Sequence, residues 1–163
     1  MSEKLYIEVD VRQINYHGER ICGDVFLKKR VKEDNRIIAV LSDGMGHGVK
    51  ANILATLTST MALNFTIEHK KPERIAEIIM NTLPVCSERL VSYATFTVVD
   101  IEFDGQVHIL EYDNPALLVF RKNKLLKLPY EIIEMKNPPH AGKKLTYTSF
   151  YPKLHDRLVF CSD

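Results

Sequence analysis

The sequence predicts an α+β domain in which antiparallel sheets are covered by helices. Three observations predict it. Short apolar or alternating runs recur along the chain, separated by turns rich in Gly, Asn and Asp. Only two stretches have helical spacing, and they are adjacent. The strands after them follow one another through hairpin-length turns, so the strand–helix–strand alternation of a parallel sheet is missing.

Leu5, Ile7, Val9 and Val11 alternate with their neighbours, the pattern of a half-buried strand. Residues 15–20 read as a turn punctuated by Gly18. Residues 21–27 are a second strand, weakened by Gly23, a position for a bulge or a close backbone approach. Asp24 lies there between apolar residues, where a carboxylate needs a partner. It could equally be an ordinary carboxylate at a strand kink. Lys28-Lys29-Arg30 reads as a solvated loop face. With a turn at Glu33-Asp34-Asn35, residues 21–41 form a hairpin. Its second strand, Ile37-Ile38-Ala39-Val40-Leu41, has no polar alternation and reads as buried on both faces.

Ile53, Leu54, Leu57, Met61, Ala62 and Phe65 recur at three- and four-residue steps, so a helix is expected over residues 49–65 with these on its apolar stripe. Pro72 can occupy the first turn of a second helix with Ile75, Ile78, Ile79 and Leu83 inward, and Pro84 ends it. Residues 95–103 are strongly β-forming, and Asp104-Gly105 is a hairpin signal leading to residues 107–110. A turn at Asp113-Asn114-Pro115 follows, then a hairpin around Asn123. Residues 137–142 are irregular, 145–150 alternate, and 157–161 form a further buried strand running into Ser162-Asp163.

The chain is organised around Ser42-Asp43-Gly44-Met45-Gly46-His47-Gly48, a glycine loop between a buried strand and a helix. Asp43 is a carboxylate with affinity for hard cations. The glycines let backbone groups approach an ion or a phosphate, and the helix start presents free N–H groups. A tight turn with no ligand would look the same. The Gly-Lys-Ser/Thr of a nucleotide-binding P-loop is missing. Gly46 to Ala51 does satisfy a dinucleotide fingerprint, but no second strand with an acidic end follows about twenty residues on. Gly46 and His47 are candidate substrate-binding positions, the imidazole being able to meet a phosphate or protonate a leaving oxygen. His17 reads as a solvated loop residue.

Length allows one domain with a substantial core, and 45% hydrophobic against 26% charged residues is ordinary for a globular chain. A formal net charge of +1 gives no electrostatic case for nucleic acid or an anionic membrane. No apolar run approaches a membrane span, and the first residues do not begin a signal peptide. Three cysteines, Cys22, Cys86 and Cys161, without C-x-x-C spacing argue against a disulfide framework or a zinc site and for a reducing cytoplasm. Cys22 and Cys161 each precede an aspartate by two residues, which in a strand places them on its face.

Val40-Leu41-Ser42-Asp43 and Val159-Phe160-Cys161-Ser162-Asp163 are both apolar strands ending in Ser-Asp. Two strand-end aspartates from opposite ends of a domain can converge on one ion pair, with Asp24 as a third. Two hard cations about 4 Å apart can generate a hydroxide and hold a phosphate for in-line attack.

In these ordered pieces the chain resembles the SpoIIE-type (stage II sporulation protein E) branch of the metal-dependent protein phosphatases, the PPM or type 2C superfamily. The resemblance runs through Cys22-Gly23-Asp24-Val25-Phe26, the Asp43 glycine loop and its helix, Ala94-Thr95-Phe96, Asp113-Asn114-Pro115 and the closing strand into Asp163. It implies a four-layer α-β-β-α sandwich of two antiparallel sheets with flanking helices. It implies hydrolysis of phosphoserine or phosphothreonine on a regulatory protein by a metal-bridging hydroxide, with two manganese or magnesium ions and no covalent intermediate. It places Asp43 between both metals, the Gly44 carbonyl on one and Asp163 on the other, with Asp24 as a ligand or the holder of a metal-bound water. The implied partner is a phosphorylated regulator of the anti-anti-sigma type. In the family a glycine, a helix, a strand and an Asp-Asn pair follow the second aspartate, so residues 1–163 are read as one phosphatase domain whose C-terminal part is missing. A phosphatase-like scaffold that binds a regulatory partner without hydrolysis is the alternative.

Overall fold

A computed structural model describes residues 6–83 and 94–163. Two antiparallel sheets and two helices make up the fold. The first hairpin pairs β1 (Asp24–Val31) with β2 (Arg36–Gly44). The chain then forms α1 (Gly48–Ile67) and α2 (Pro72–Thr82). It continues through β3 (Ala94–Ile101), β4 (Val107–Tyr112), β5 (Leu118–Arg121), β6 (Lys124–Leu126), β7 (Glu131–Glu134), β8 (Lys144–Phe150) and β9 (Arg157–Val159). The larger sheet has the order β1-β2-β3-β4-β8-β7, and the smaller β6-β5-β9.

Both helices pack on one face of the larger sheet. Ile38, Val40, Phe96, Val98, Leu110 and Leu145 bury that face against Ala62, Ile75, Ala76, Ile79 and Met80. The opposite face presents Ala39, Val99, Val107 and Ile109 to Leu117, Leu158 and Phe160 of the smaller sheet and its flanks. The layers among the described residues are therefore helices, large sheet, small sheet. No described helix is long and apolar enough to cross a membrane.

The central strands follow the sequence reading closely. β2 is buried on both faces because it sits between β1 and β3 and is covered by helices on one side and the small sheet on the other. The Asp104-Gly105 and Lys122-Asn123 turns carry the positive φ that their hairpins require, at Gly105, Lys122 and Asn123. Pro72 occupies the first turn of α2. Leu5, Pro84 and Cys86 lie outside the described residues.

Several elements depart from expectation. Residues 6–11 form no strand: Ile7 and Val9 are half-buried and their neighbours exposed, as the alternation predicts, but Val11 is exposed and the segment is not paired into either sheet. β1 starts only at Asp24 and continues through Lys28-Lys29-Arg30, which belong to a strand rather than a loop. Pairing with Ile37, Ile38 and Ala39 fixes them there, and charged side chains suit an edge strand. β7, an edge strand of only four residues, has no sequence signal strong enough to find it. β9 ends at Val159 and is half exposed, being an edge of the small sheet.

Helix α1 departs most. It buries Ala51, Ala55, Thr58, Ser59, Ala62 and Thr66, while Val49, Ile53 and Leu57 are exposed. In the first half of the helix the expected stripe turns outward at Ile53 and Leu57, because α1 lies too close to β2 there for large side chains; in the second half Ala62 is buried and Met61 and Phe65 pack against the core as expected. A Cβ on Gly44 would stand inside the van der Waals radius of the Ala51 carbonyl. Only small residues fit along that line of contact.

Two ion pairs anchor the ends of the fold. Arg36, at the start of β2, holds buried Asp100 of β3 through Nε at 3.2 Å and Nη2 at 2.5 Å. Its Nη2 also donates to the Thr66 carbonyl at 3.0 Å, tying the C-terminal end of α1 to the sheet. In the small sheet Arg121 grips Asp156 through Nε at 2.9 Å and Nη2 at 2.6 Å, and the Lys153 amide donates to the same carboxylate at 2.8 Å.

Candidate metal centre

The register of the first hairpin builds the site. Asp24 lies directly opposite Asp43 across β1 and β2, and Asp43 lies opposite Thr95 across β2 and β3. Side chains at such positions point to the same face, with Cβ atoms about 4.5–5.5 Å apart. Counting along β2, Asp43 shares its face with Ala39, and Asp24 shares its face with Phe26. Both carboxyls therefore open between the two sheets, at the end where the glycine loop begins.

The third aspartate arrives from the far end of the chain. After β9 the backbone returns toward β1, and Ser162 Oγ donates to Asp24 Oδ2 at 2.6 Å. Asp163, the next residue, is within hydrogen-bonding reach of Asp43. Asp24, Asp43 and Asp163 are thus brought together. Burial first, then the Asp24 charge and hydrogen bonds to Asp163 and Asp24, push the Asp43 carboxyl up to about 8. At neutral pH Asp43 keeps its proton and lends it to its neighbours.

None of the ion pairs among the described residues involves these three aspartates. Among the described residues no group of three or more His, Cys, Asp or Glu side chains is already drawn into ligand geometry. Carboxyls that share a proton stand at hydrogen-bond spacing, which is a different arrangement. The donor chemistry nonetheless fits a hard divalent cation, since it consists of carboxylate and carbonyl oxygens. The Gly44 carbonyl oxygen lies 3.9 Å from where a Gly23 Cβ would be, so the bare Gly23 leaves space beside it.

Behind Asp43 stands a polar wall. Asn114 bridges Thr95 Oγ1 and Thr97 Oγ1, donating to the latter at 3.0 Å. Glu111 accepts the Leu117 amide at 2.8 Å, and burial raises its carboxyl above the ordinary range.

The glycine loop forms the rim. Gly46 is exposed with open space around it, and His47 is exposed at the N-cap of α1. His47 Nδ1 lies 2.5 Å from Glu19 Oε1, and the Tyr16 ring stacks on the imidazole at 5.0 Å and 16°. Glu19 also backs onto Gly48, whose φ of +67° and lack of a Cβ make the approach possible. Tyr16 and Glu19 were not visible as site residues in the sequence. They sit in a turn, which has no period, and only the punctuation by Gly18 marks it. His17 is exposed. Cys22 and Cys161 lie outside the strands, so strand alternation does not place their thiols beside the aspartates; the Cys22 thiol donates to the Ile14 carbonyl at 3.6 Å.

Comparison with known proteins agrees with this architecture. The chain is 29% identical over 106 residues to the phosphoserine phosphatase RsbX of Bacillus subtilis (strain 168), an alignment covering 64% of this chain and 48% of RsbX. The chain thus spans about half the length of that relative. The solved structure of RsbX in complex with magnesium superposes with a TM-score of 0.66 at 20% identity, over 91% of this chain and 70% of that one. The phosphatase domain of the cell fate determinant SpoIIE from Bacillus subtilis superposes with a TM-score of 0.62 at 16% identity, over 88% of this chain and 60% of that one. Both likenesses establish the type 2C phosphatase-like fold. The sequence model of stage II sporulation protein E (SpoIIE) matches residues 33–163. The chain belongs to the SpoIIE family.

Proposed function

We propose that the chain is a metal-dependent protein serine/threonine phosphatase domain that acts on a phosphorylated regulatory protein in the cytoplasm. The observation that carries this reading is the meeting of Asp24, Asp43 and Asp163, from three separate parts of the chain, beside a glycine loop. Asp43 is central: it hydrogen-bonds to both other carboxyls. Asp24 and Asp163 flank it, and the Gly44 carbonyl completes an oxygen donor set for two manganese or magnesium ions.

Bound dications supply Lewis acidity at a phosphoryl oxygen and lower the pKa of water into the neutral range. The chain's own residues bind, orient and screen. Ser162 steadies the Asp24 carboxylate by its 2.6 Å hydrogen bond. The exposed Gly46 amide and the His47 imidazole lie on the rim, where an incoming phosphoryl group would pass. The sheet-to-sheet contact around Phe26 and Phe160 keeps the inner side of the site apolar. Phosphoserine as the substrate is supported by the name of the RsbX relative, and an anti-anti-sigma-type protein is the partner class the family suggests.

Calorimetry with manganese, followed by hydrolysis of p-nitrophenyl phosphate and a phosphoserine peptide, tests the reading. Wild-type chain should bind manganese and turn over both substrates, and Asp43→Asn should lose both properties while staying folded. Metal-independent turnover, or turnover surviving in Asp43→Asn, would overturn it. Manganese binding without turnover would favour a phosphatase-like scaffold.

A further inference from the structure

The contact between Glu19, Tyr16 and His47 has no evident structural purpose. His47 is 59% and Glu19 31% exposed at the side chain. An ion pair in that setting adds little to stability. Yet the imidazole is held on two sides. Its Nδ1 meets Glu19 Oε1 at 2.5 Å, and the Tyr16 ring covers one face at 5.0 Å and 16°. The turn that supplies both partners is itself closed, with the Glu19 amide donating to the Tyr16 carbonyl at 2.9 Å. It is pinned to α1 and β1 as well: Asn52 donates to the Cys22 carbonyl at 2.9 Å, and Gln13 to the Asp24 carbonyl at 3.0 Å.

A carboxylate on Nδ1 fixes the imidazole's tautomer and ring plane, because Nδ1 must carry the proton it donates. Nε2 is then the atom left for other work. Among the described residues Nε2 makes no hydrogen bond. His47 is the fourth residue after Asp43, in the loop that rims the aspartates.

We infer that Glu19 and Tyr16 are positioning residues that orient His47, so that its Nε2 engages the phosphoryl group of the substrate. This rests on the phosphatase reading of the same site. Residues 16–19 lie upstream of the segment matched by the SpoIIE family model, which covers 33–163, so the device is carried by a part of the chain outside that match. The ligand class is a phosphate monoester. Glu19 acts only through His47, and no covalent step is assigned to either.

The test compares wild type, Glu19→Gln, His47→Ala and the double variant, all with manganese. Inorganic phosphate binding is read by calorimetry, and kcat and KM are read on a phosphoserine peptide. Imidazole 15N chemical shifts report the His47 tautomer. Each single variant should weaken phosphate binding and raise KM by about tenfold, the scale of one charge-assisted hydrogen bond. Manganese affinity and Tm should stay close to the wild-type values, since so exposed a pair adds little to stability, and the changes in phosphate binding, KM and tautomer are what a merely structural contact would not produce. The double variant should be no worse than His47→Ala alone, because Glu19 has nothing to orient once the imidazole is gone. Glu19→Gln should also shift the imidazole tautomer.

Additive losses in the double variant, or unchanged phosphate affinity and tautomer in Glu19→Gln, would overturn the inference while leaving the phosphatase reading intact. Phosphate binding that falls tenfold in both single variants of a protein with no turnover would do the reverse. Wild-type chain that neither binds phosphate nor turns over the peptide would remove both.

Discussion

Strand β2 begins and ends at an acidic neighbour, and the two ends treat that acid in opposite ways. At its first residue, Arg36 neutralises buried Asp100 with two hydrogen bonds and reaches on to the end of α1. Seven residues later, about 23 Å along the strand, Asp43 faces Asp24 and Asp163, and among the described residues no cationic side chain is in an ion pair with any of the three. One end solves its electrostatics internally, and the other leaves them open. A buried carboxylate with its own arginine holds a fold together. A half-buried carboxyl that faces two others without such a partner contributes no comparable anchor.

The largest effect should come from breaking the closed end. Arg36→Met would strand Asp100 in the core and should cost about 3–5 kcal/mol of unfolding free energy in urea titrations. A loss below about 1 kcal/mol would mean that Asp100 relaxes to solvent and that the pair is not an anchor.

At the open end the sign should reverse. Asp43→Asn puts a neutral amide where the half-buried carboxyl must take up a proton at neutral pH, so the metal-free protein should gain on the order of 1 kcal/mol, or about 2–4 °C in Tm at this size. Manganese binding should vanish in the same variant. Destabilisation on that change would show that the Asp43 carboxyl carries no such cost in the folded protein.

The pH dependence sharpens the comparison further. The Asp43 carboxyl sits at about 8 in the folded state against an ordinary value of 3.8. Between those values the native state holds a proton that the unfolded chain has released. Stability of the metal-free protein should therefore fall as pH rises across that window. Manganese affinity should rise over the same range, since the proton must leave before the ion is held. Thermal scans at pH 5 and pH 8, with and without manganese, check both signs. A flat profile in wild type, or a slope that survives in Asp43→Asn, would break the assignment.

The smallest effect belongs to the small sheet. Arg121 holds the Asp156 carboxyl below its ordinary range, so its contribution exists at neutral pH and disappears as pH falls through that lowered value. Asp156→Asn should shift the acid midpoint of unfolding slightly and leave manganese affinity at the wild-type value.

Legibility in the sequence followed the same division. The β1–β2 hairpin, the glycine loop and the two helices were readable because turn chemistry and periodicity act over a few residues. Once the turn at 33–35 is placed, the pairing of Asp24 with Asp43 follows by counting. Asp163 needed the Ser-Asp rhyme with β2 and the family resemblance, since nothing local brings residue 163 to residue 43. The face of α1 was not readable. Its large residues have helical spacing, but closeness to β2 at Gly44 selects the small ones for the inside. Glu19 escaped because a surface turn has no period and its partner lies 28 positions away.

The tight seat of α1 has a consequence for what the protein can tolerate. Where a backbone meets a backbone, almost every replacement is too large, and where large side chains already face water, almost none is. A saturation library scored for folding should find Gly44, Ala51, Ala55 and Ala62 nearly invariant. Val49, Ile53 and Leu57 of the same helix should accept lysine or glutamate freely. The first half of the helix would then show a mutational profile inverted from its hydrophobicity, while Met61 and Phe65 of the second half, which pack against the core, would stay restricted.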